Sequence, residues 1–368
     1  MNAPATPILL HIGSTKTGTS SLQEHFTDHT RTLAKRGVVY PVAGRNLPGQ
    51  IAHHNLCYEV QPSRVAAGVY KPEVGTWSEA LDEIDTSEAS IGVISSEAFM
   101  NAQPRQVPRV RELLDGRDVT VVAYVRRQDR WLQSAWNQQA RFGRCSLDFN
   151  EFYSSVRRRH RGEYEVLLAP WAAAFGTNRL AVRNFDTLPS GGIVPDFFAT
   201  FLPAVTVAAE SARARNSMAG PKQLIAVAHV LEECRRTLGP DYALAATSAS
   251  RIAKFFRNRT GEDRRFSVLT YEMAVDVHQT FLASNGRLAE LSDTFRDSGG
   301  FPEPREEEYQ DHLALTEMGL SDLYDEEQRF ATRMFREIIR AHGTEQPAPR
   351  PSATGARLRS LLRRIRYR

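Results

Sequence analysis

Residues 8–23 read Ile-Leu-Leu-His-Ile-Gly-Ser-Thr-Lys-Thr-Gly-Thr-Ser-Ser-Leu-Gln. An apolar run leads into two glycines, Gly13 and Gly18, separated by four residues, and then into hydroxyl residues that open a helix. A strand, loop and helix of this kind can wrap backbone amides around a phosphate, and the helix N-terminus adds partial positive charge. In an ATP-binding P-loop a lysine follows the second glycine and the next hydroxyl holds Mg²⁺. Here Thr19 stands in the lysine position and Lys16 lies two residues before Gly18. The amides of such a loop can still hold a 5'-phosphate while the ammonium group is directed elsewhere. Leu22, Phe26 and Leu33 give residues 20–36 an apolar helical face, and Gly37 is placed to stop the helix.

A second segment bears on where that charge is used. Val119-Thr-Val-Val-Ala-Tyr-Val125 is a β-branched apolar run suited to a central parallel strand, and it ends in Arg126-Arg127-Gln128-Asp129-Arg130. A P-loop strand of this type ends in an aspartate that helps hold the metal. Arginine there repels Mg²⁺ and attracts a second phosphate. Residues 131–137, Trp-Leu-Gln-Ser-Ala-Trp-Asn, have helical spacing and place the Ser134 hydroxyl in the turns that follow, so Arg126 and Ser134 can clamp a monophosphate.

The two segments together resemble the sulfotransferases that use 3'-phosphoadenosine-5'-phosphosulfate. Lys16-Thr17-Gly18-Thr19-Ser20-Ser21 is similar to that family's 5'-phosphosulfate loop, and Arg126 through Ser134 to its 3'-phosphate motif. Weaker likeness lies in Val93-Ile-Ser-Ser-Glu97 and Phe281-Leu-Ala-Ser-Asn285, as in the bacterial and Golgi-type carbohydrate enzymes, and the resemblance spans residues 7 to about 340. The usual Arg-Asn-Pro is Arg126-Arg127-Gln128 here, and the late Lys-Gly-x-x-Gly motif of the cytosolic branch is missing.

The resemblance implies the phosphosulfate co-substrate, its product adenosine 3',5'-bisphosphate, no required metal, and Lys16 at the bridging oxygen. Thr17, Gly18, Thr19, Ser20, Arg126 and Ser134 would hold the nucleotide, and Arg213, with Asn216 and Ser217, matches a further nucleotide-holding patch loosely. Related enzymes use a glutamate or a histidine as general base, and both are present. Glu97 follows the third apolar run at the carboxyl edge of the expected sheet, where open-sheet sites gather. His53 and His54 follow the second run and Pro41 on a loop facing the same edge.

Across 368 residues, 41% of them hydrophobic, the chain can bury one large α/β core or two modest domains. Cys57, Cys145 and Cys234 are far apart, with neither Cys-x-x-Cys spacing nor histidines at ligand distance, so a disulfide framework or zinc site is not indicated. The first residues lack the basic start of a signal sequence, and no apolar run is long enough to span a bilayer. The location expected from this is cytoplasmic.

Strands are predicted at 8–12, 38–40, 91–95, 119–125 and 179–182, alternating with helical stretches: a P-loop-like, doubly wound parallel sheet flanked by helices. Helical spacing over 221–238 and 269–291 predicts a helical C-terminal lobe at about 210–340, within an α/β domain of 7–345. Tyr70, Trp77, Trp136 and Tyr164 are available to stack on a sugar or pack on an acyl chain, against the commoner role of isolated aromatics in a core.

The 47 basic and 43 acidic side chains are unevenly placed. Seven arginines (350, 357, 359, 363, 364, 366 and 368) and no acid follow Gln346, which leaves 40 basic against 43 acidic side chains before it. Leu358, Leu361, Leu362 and Ile365 recur at helical spacing among them, so residues 350–368 read either as a helix on the inner face of an anionic membrane or as a basic tail without fixed partner. No aromatic platform accompanies the arginines, and nucleic acid is not expected. The reading that joins these features is sulfuryl transfer to a hydroxyl of a carbohydrate or glycolipid. The alternatives are an ATP-dependent P-loop phosphotransferase and a catalytically silent nucleotide-binding or membrane scaffold.

Overall fold

The apolar runs become five strands of one parallel sheet in the order β2-β3-β1-β4-β5. The computed structural model describes residues 5–45, 49–189, 191–205, 218–238, 251–252, 255, 266–319, 321, 323 and 325–343. The basic tail from Gln346, and Arg213 with Asn216 and Ser217, lie outside the described residues. In chain order the elements are β1 (Ile8–His11), α1 (Thr19–Asp28), α2 (Thr30–Ala34), β2 (Val38–Val39), α3 (His54–Glu59), α4 (Pro62–Ala66), α5 (Trp77–Thr86), β3 (Ile91–Ser95), α6 (Val107–Leu113), β4 (Val119–Val125) and α7 (Gln128–Arg141). They continue with α8 (Phe149–Arg157), α9 (Tyr164–Phe175), β5 (Leu180–Asn184), α10 (Ile193–Phe201), α11 (Pro221–Leu238), α12 (Tyr271–Leu291), α13 (Asp293–Asp297) and α14 (Asp325–Gly343).

The described chain divides into two units. Among the described residues, the first comprises those up to Trp131, those from His160 to Val205 and Val275–Glu303, and it holds the whole sheet. Successive side chains of a strand point to opposite faces, so the core of this unit is split in two. Leu10, Val121 and Ala123 pack with Trp77, Phe99 and Trp171, while Leu9, Val122 and Tyr124 pack with Phe26, Phe197 and Phe198.

The helix predicted over 20–36 is broken at His29, which leaves the helical region with φ −108°, and Gly37 follows at φ 78°. Residues 275–303, assigned to the C-terminal lobe by their helical spacing, cluster with the sheet. The reason lies at the outer edge of β5. Val182 donates its backbone N–H to Thr294 Oγ1 at 2.8 Å, Thr294 Oγ1 donates to Val182 O at 3.0 Å, and Ser292 Oγ donates to Leu180 O at 2.9 Å. Asn184 Nδ2 continues the series to Gly300 O at 2.8 Å.

The second unit comprises, among the described residues, Leu132–Arg159, those from Met218 to Ala274 and those from Pro304 to Gly343. Ile225, Val230 and Leu231 of α11 pack with Ala331, Met334 and Ile338 of α14. Asn137 makes paired bonds with the backbone of Ala219, donating at 2.8 Å and accepting at 2.9 Å.

In the sheet, β1 leads to β2 on one side while its neighbour β4 leads to β5 on the other, so the connections leaving the carboxyl ends of β1 and β4 diverge. The carboxyl edge at such a divergence is the usual ligand position in an open α/β sheet.

Candidate active site

The loop after β1 is shaped by three residues with positive φ: Gly13 at 50°, Lys16 at 72° and Gly18 at 76°. At two of them glycine is also required by space. A Cβ at Gly13 would lie 2.7 Å from Thr19 Cγ2 and 3.3 Å from Glu97 Cβ, and one at Gly18 would lie 3.0 Å from Ile193 Cγ2 and 3.1 Å from Phe185 Cε2. Lys16 has no such licence, and a left-handed non-glycine residue costs about 1–2 kcal/mol. Thr17 Oγ1 closes the loop by donating to Ser14 O at 2.6 Å. No side chain caps α1, whose first turn contains Thr19 and Ser20.

At the end of β3, Glu97 meets one of the two histidines. His54 Nε2 lies 3.7 Å from Glu97 Oε1, and His54 Nδ1 is 2.7 Å from Ser96 Oγ. Gln23 of α1 donates to Glu97 Oε2 at 3.1 Å and to Ser95 Oγ at 3.2 Å. Glu97 is therefore held from α1 and faces α3, with both groups half-buried. His53 is not brought to this pair. It is fully buried, its Nε2 bonds to Pro41 O at 2.9 Å, and its Nδ1 accepts from the Ser95 backbone at 3.1 Å. Burial lowers its pKa to about 3, which keeps the ring neutral. His11 beneath the loop is likewise buried, with its pKa lowered to about 3 by desolvation, and bonds Ser95 Oγ at 2.7 Å.

The two arginines ending β4 have different surroundings. Arg127 is 2% exposed and pairs through two nitrogens with Asp129, which is 0% exposed, at 2.7 and 3.1 Å. Its Nη1 also reaches Glu303 O at 3.2 Å. Arg127 thus ties β4 to the start of α7 and to the chain near residue 303. Asp129→Ala should destabilise the fold by about 3–5 kcal/mol, because the buried guanidinium would lose its two-bond carboxylate partner; denaturant unfolding measures it. Arg126, by contrast, is 25% exposed, donates from Nε to Asp186 at 3.1 Å, and lies 5.6 Å from the Phe185 ring centroid. Phe185 also walls Gly18, so the loop after β1 and Arg126 share one side chain.

Ser134 lies on α7, in the segment assigned to the second unit, and Arg213 lies outside the described residues. Trp77, Trp136 and Tyr164 belong to the cores: Trp77 Nε1 donates to Leu56 O at 2.9 Å and Tyr164 Oη to Arg126 O at 2.8 Å. An aromatic beside the Glu97–His54 pair is Tyr58, stacked on His54 at 6.2 Å with the Arg64 guanidinium 5.4 Å from its centroid. Helical spacing could have found it, since Tyr58 lies one turn after His54. The Asn285 motif is structural here: Asn285 and Gln128 exchange amide bonds at 2.6 and 3.2 Å.

Among the described residues no helix is long and apolar enough to cross a membrane. No protein-family model matches the chain. An uncharacterized protein of Archaeoglobus fulgidus is 32% identical over 109 residues, which is 28% of this chain and 28% of that protein's length. Among solved structures, one described as a sulfotransferase from Alicyclobacillus acidocaldarius is similar over 78% of this chain and 96% of that one, with 16% identity and a TM-score of 0.41.

Proposed function

We propose that this chain is a sulfotransferase that moves a sulfuryl group from 3'-phosphoadenosine-5'-phosphosulfate to a hydroxyl of a carbohydrate or glycolipid. The observation that carries the reading is the joining, through Phe185, of a glycine-cradled loop bearing Lys16 to a strand end bearing Arg126. The cradle fits a 5'-phosphate group because Gly13 and Gly18 leave backbone where side chains would intrude. The guanidinium fits a second phosphate.

In this reading Lys16 stabilises the negative charge that develops on the departing bisphosphate. Glu97 accepts the proton of the acceptor hydroxyl, oriented by Gln23 and accompanied by His54. The arginines at the end of β4 argue against the phosphotransferase alternative, which needs an acid there for Mg²⁺. The carbohydrate or glycolipid acceptor, the cytoplasmic location and an anionic membrane partner for residues 350–368 belong to the same proposal. The tail's arginines and spaced leucines motivate the last of these.

Thermal unfolding with adenosine 3',5'-bisphosphate, and separately with ATP and Mg²⁺, tests the donor. At a hundred times Kd the bisphosphate should add about 2.7 kcal/mol of stability, and Arg126→Ala should remove most of that gain. A preference for ATP with Mg²⁺ would replace this reading by the phosphotransferase.

A further inference from the structure

Asp186 is a buried carboxylate at the centre of a basic site. It is 5% exposed, on the turn that follows β5, and its own backbone N–H is held by Asn184 Oδ1 at 2.9 Å. One oxygen, Oδ2, accepts the backbone N–H of Arg127 at 2.9 Å, so Asp186 supplies a carboxylate just ahead of α7. The other, Oδ1, accepts both from Arg126 Nε at 3.1 Å and from Arg130 Nη1 at 3.2 Å. Bonding near the helix start would need only one oxygen. The second gathers two guanidiniums, 25% and 32% exposed, on a single acceptor.

Two guanidiniums thus converge on one carboxylate oxygen. Arg126 spends Nε on Asp186, and that bond does not use its Nη1–Nη2 edge, which suits a phosphate in a two-bond geometry. Arg130 stands in the first turn of α7, where a cation opposes the helix dipole and an anion relieves it.

We propose that Arg130 acts with Arg126 on the donor's second phosphate, and that Asp186 is the positioning residue that sets both guanidiniums. This rests on the donor reading above. It adds a cation and a carboxylate that neither the loop nor the Arg126–Ser134 spacing identifies.

The test is titration calorimetry of the full chain with adenosine 3',5'-bisphosphate and with adenosine 5'-monophosphate, which lacks the second phosphate. Wild type should prefer the bisphosphate. Arg130→Gln and Asp186→Ala should each cut that preference on the order of tenfold, the loss expected for a hydrogen bond to a charged group. Affinity for the monophosphate should stay within about twofold, which loss of the fold would not allow. Asp186→Asn, which keeps the side-chain shape, serves if the alanine variant does not fold, and it should lose preference in the same direction. An unchanged ratio in both the Arg130 and Asp186 variants would overturn the inference while leaving the donor reading intact. Equal loss for both nucleotides, or tighter bisphosphate binding once the carboxylate is neutralised, would also overturn it. A wild-type protein without preference for the bisphosphate would instead remove the donor reading.

Discussion

Glu97→Gln is expected to lower kcat by about 10²–10⁴-fold, the usual contribution of a positioned general base. Affinity for adenosine 3',5'-bisphosphate should change little, because the carboxylate faces His54 and Gln23 rather than the arginines at the end of β4. Glutamine keeps the shape and the contact with α1 but cannot take a proton. Steady-state turnover with an identified acceptor, alongside calorimetry with the bisphosphate, separates the two effects. His54→Ala should cost less than Glu97→Gln. The reverse ranking would transfer the base to the histidine and leave Glu97 as its partner.

Lys16→Ala should remove about 2.7–4 kcal/mol of transition-state stabilisation, by analogy with deletion of one oxyanion donor. The backbone offers a second reading of the same position. Lys16 occupies left-handed space at φ 72°, and Lys16→Gly relieves a cost of about 1–2 kcal/mol there, partly offset by glycine's own entropy. The glycine variant should therefore unfold no earlier than wild type while losing turnover as the alanine variant does. Normal turnover in either variant would show that the strained lysine has no part in the chemistry. A catalytically silent scaffold would show no turnover even as wild type, and Lys16→Ala would leave its partner binding unchanged.

The sheet is legible in the sequence because its central strands are buried on both faces, so each is a nearly continuous apolar run. Val119–Val125 and Ile91–Ser95 match the predicted limits residue for residue. The loop is legible for a different reason, since Gly13 and Gly18 mark places where the backbone turns left-handed and a Cβ would strike a neighbour. His53 and His54 are not separable in the sequence. Consecutive side chains can face opposite ways, and only the bonds to Pro41 and Ser95 reveal which one faces inward. Asp186 is not legible at all, because it lies 60 residues from Arg126 and no local pattern links them. Gln23 is hidden similarly, 74 residues from the carboxylate it holds. The placement of residues 275–303 turns on hydroxyls of Ser292 and Thr294, which carry no helical or strand period.

Those hydroxyls have a consequence for how copies of the chain can associate. An outer strand with unspent N–H and C=O groups is a template for another chain. In β5 the outward groups of Leu180 and Val182 are already taken by Ser292 and Thr294, and at the opposite end β2 offers only Val38–Val39. Neither border of the sheet is suited to recruit a strand from a second molecule, so self-association by sheet continuation is disfavoured, and a dimer of this protein would be built on helices and loops.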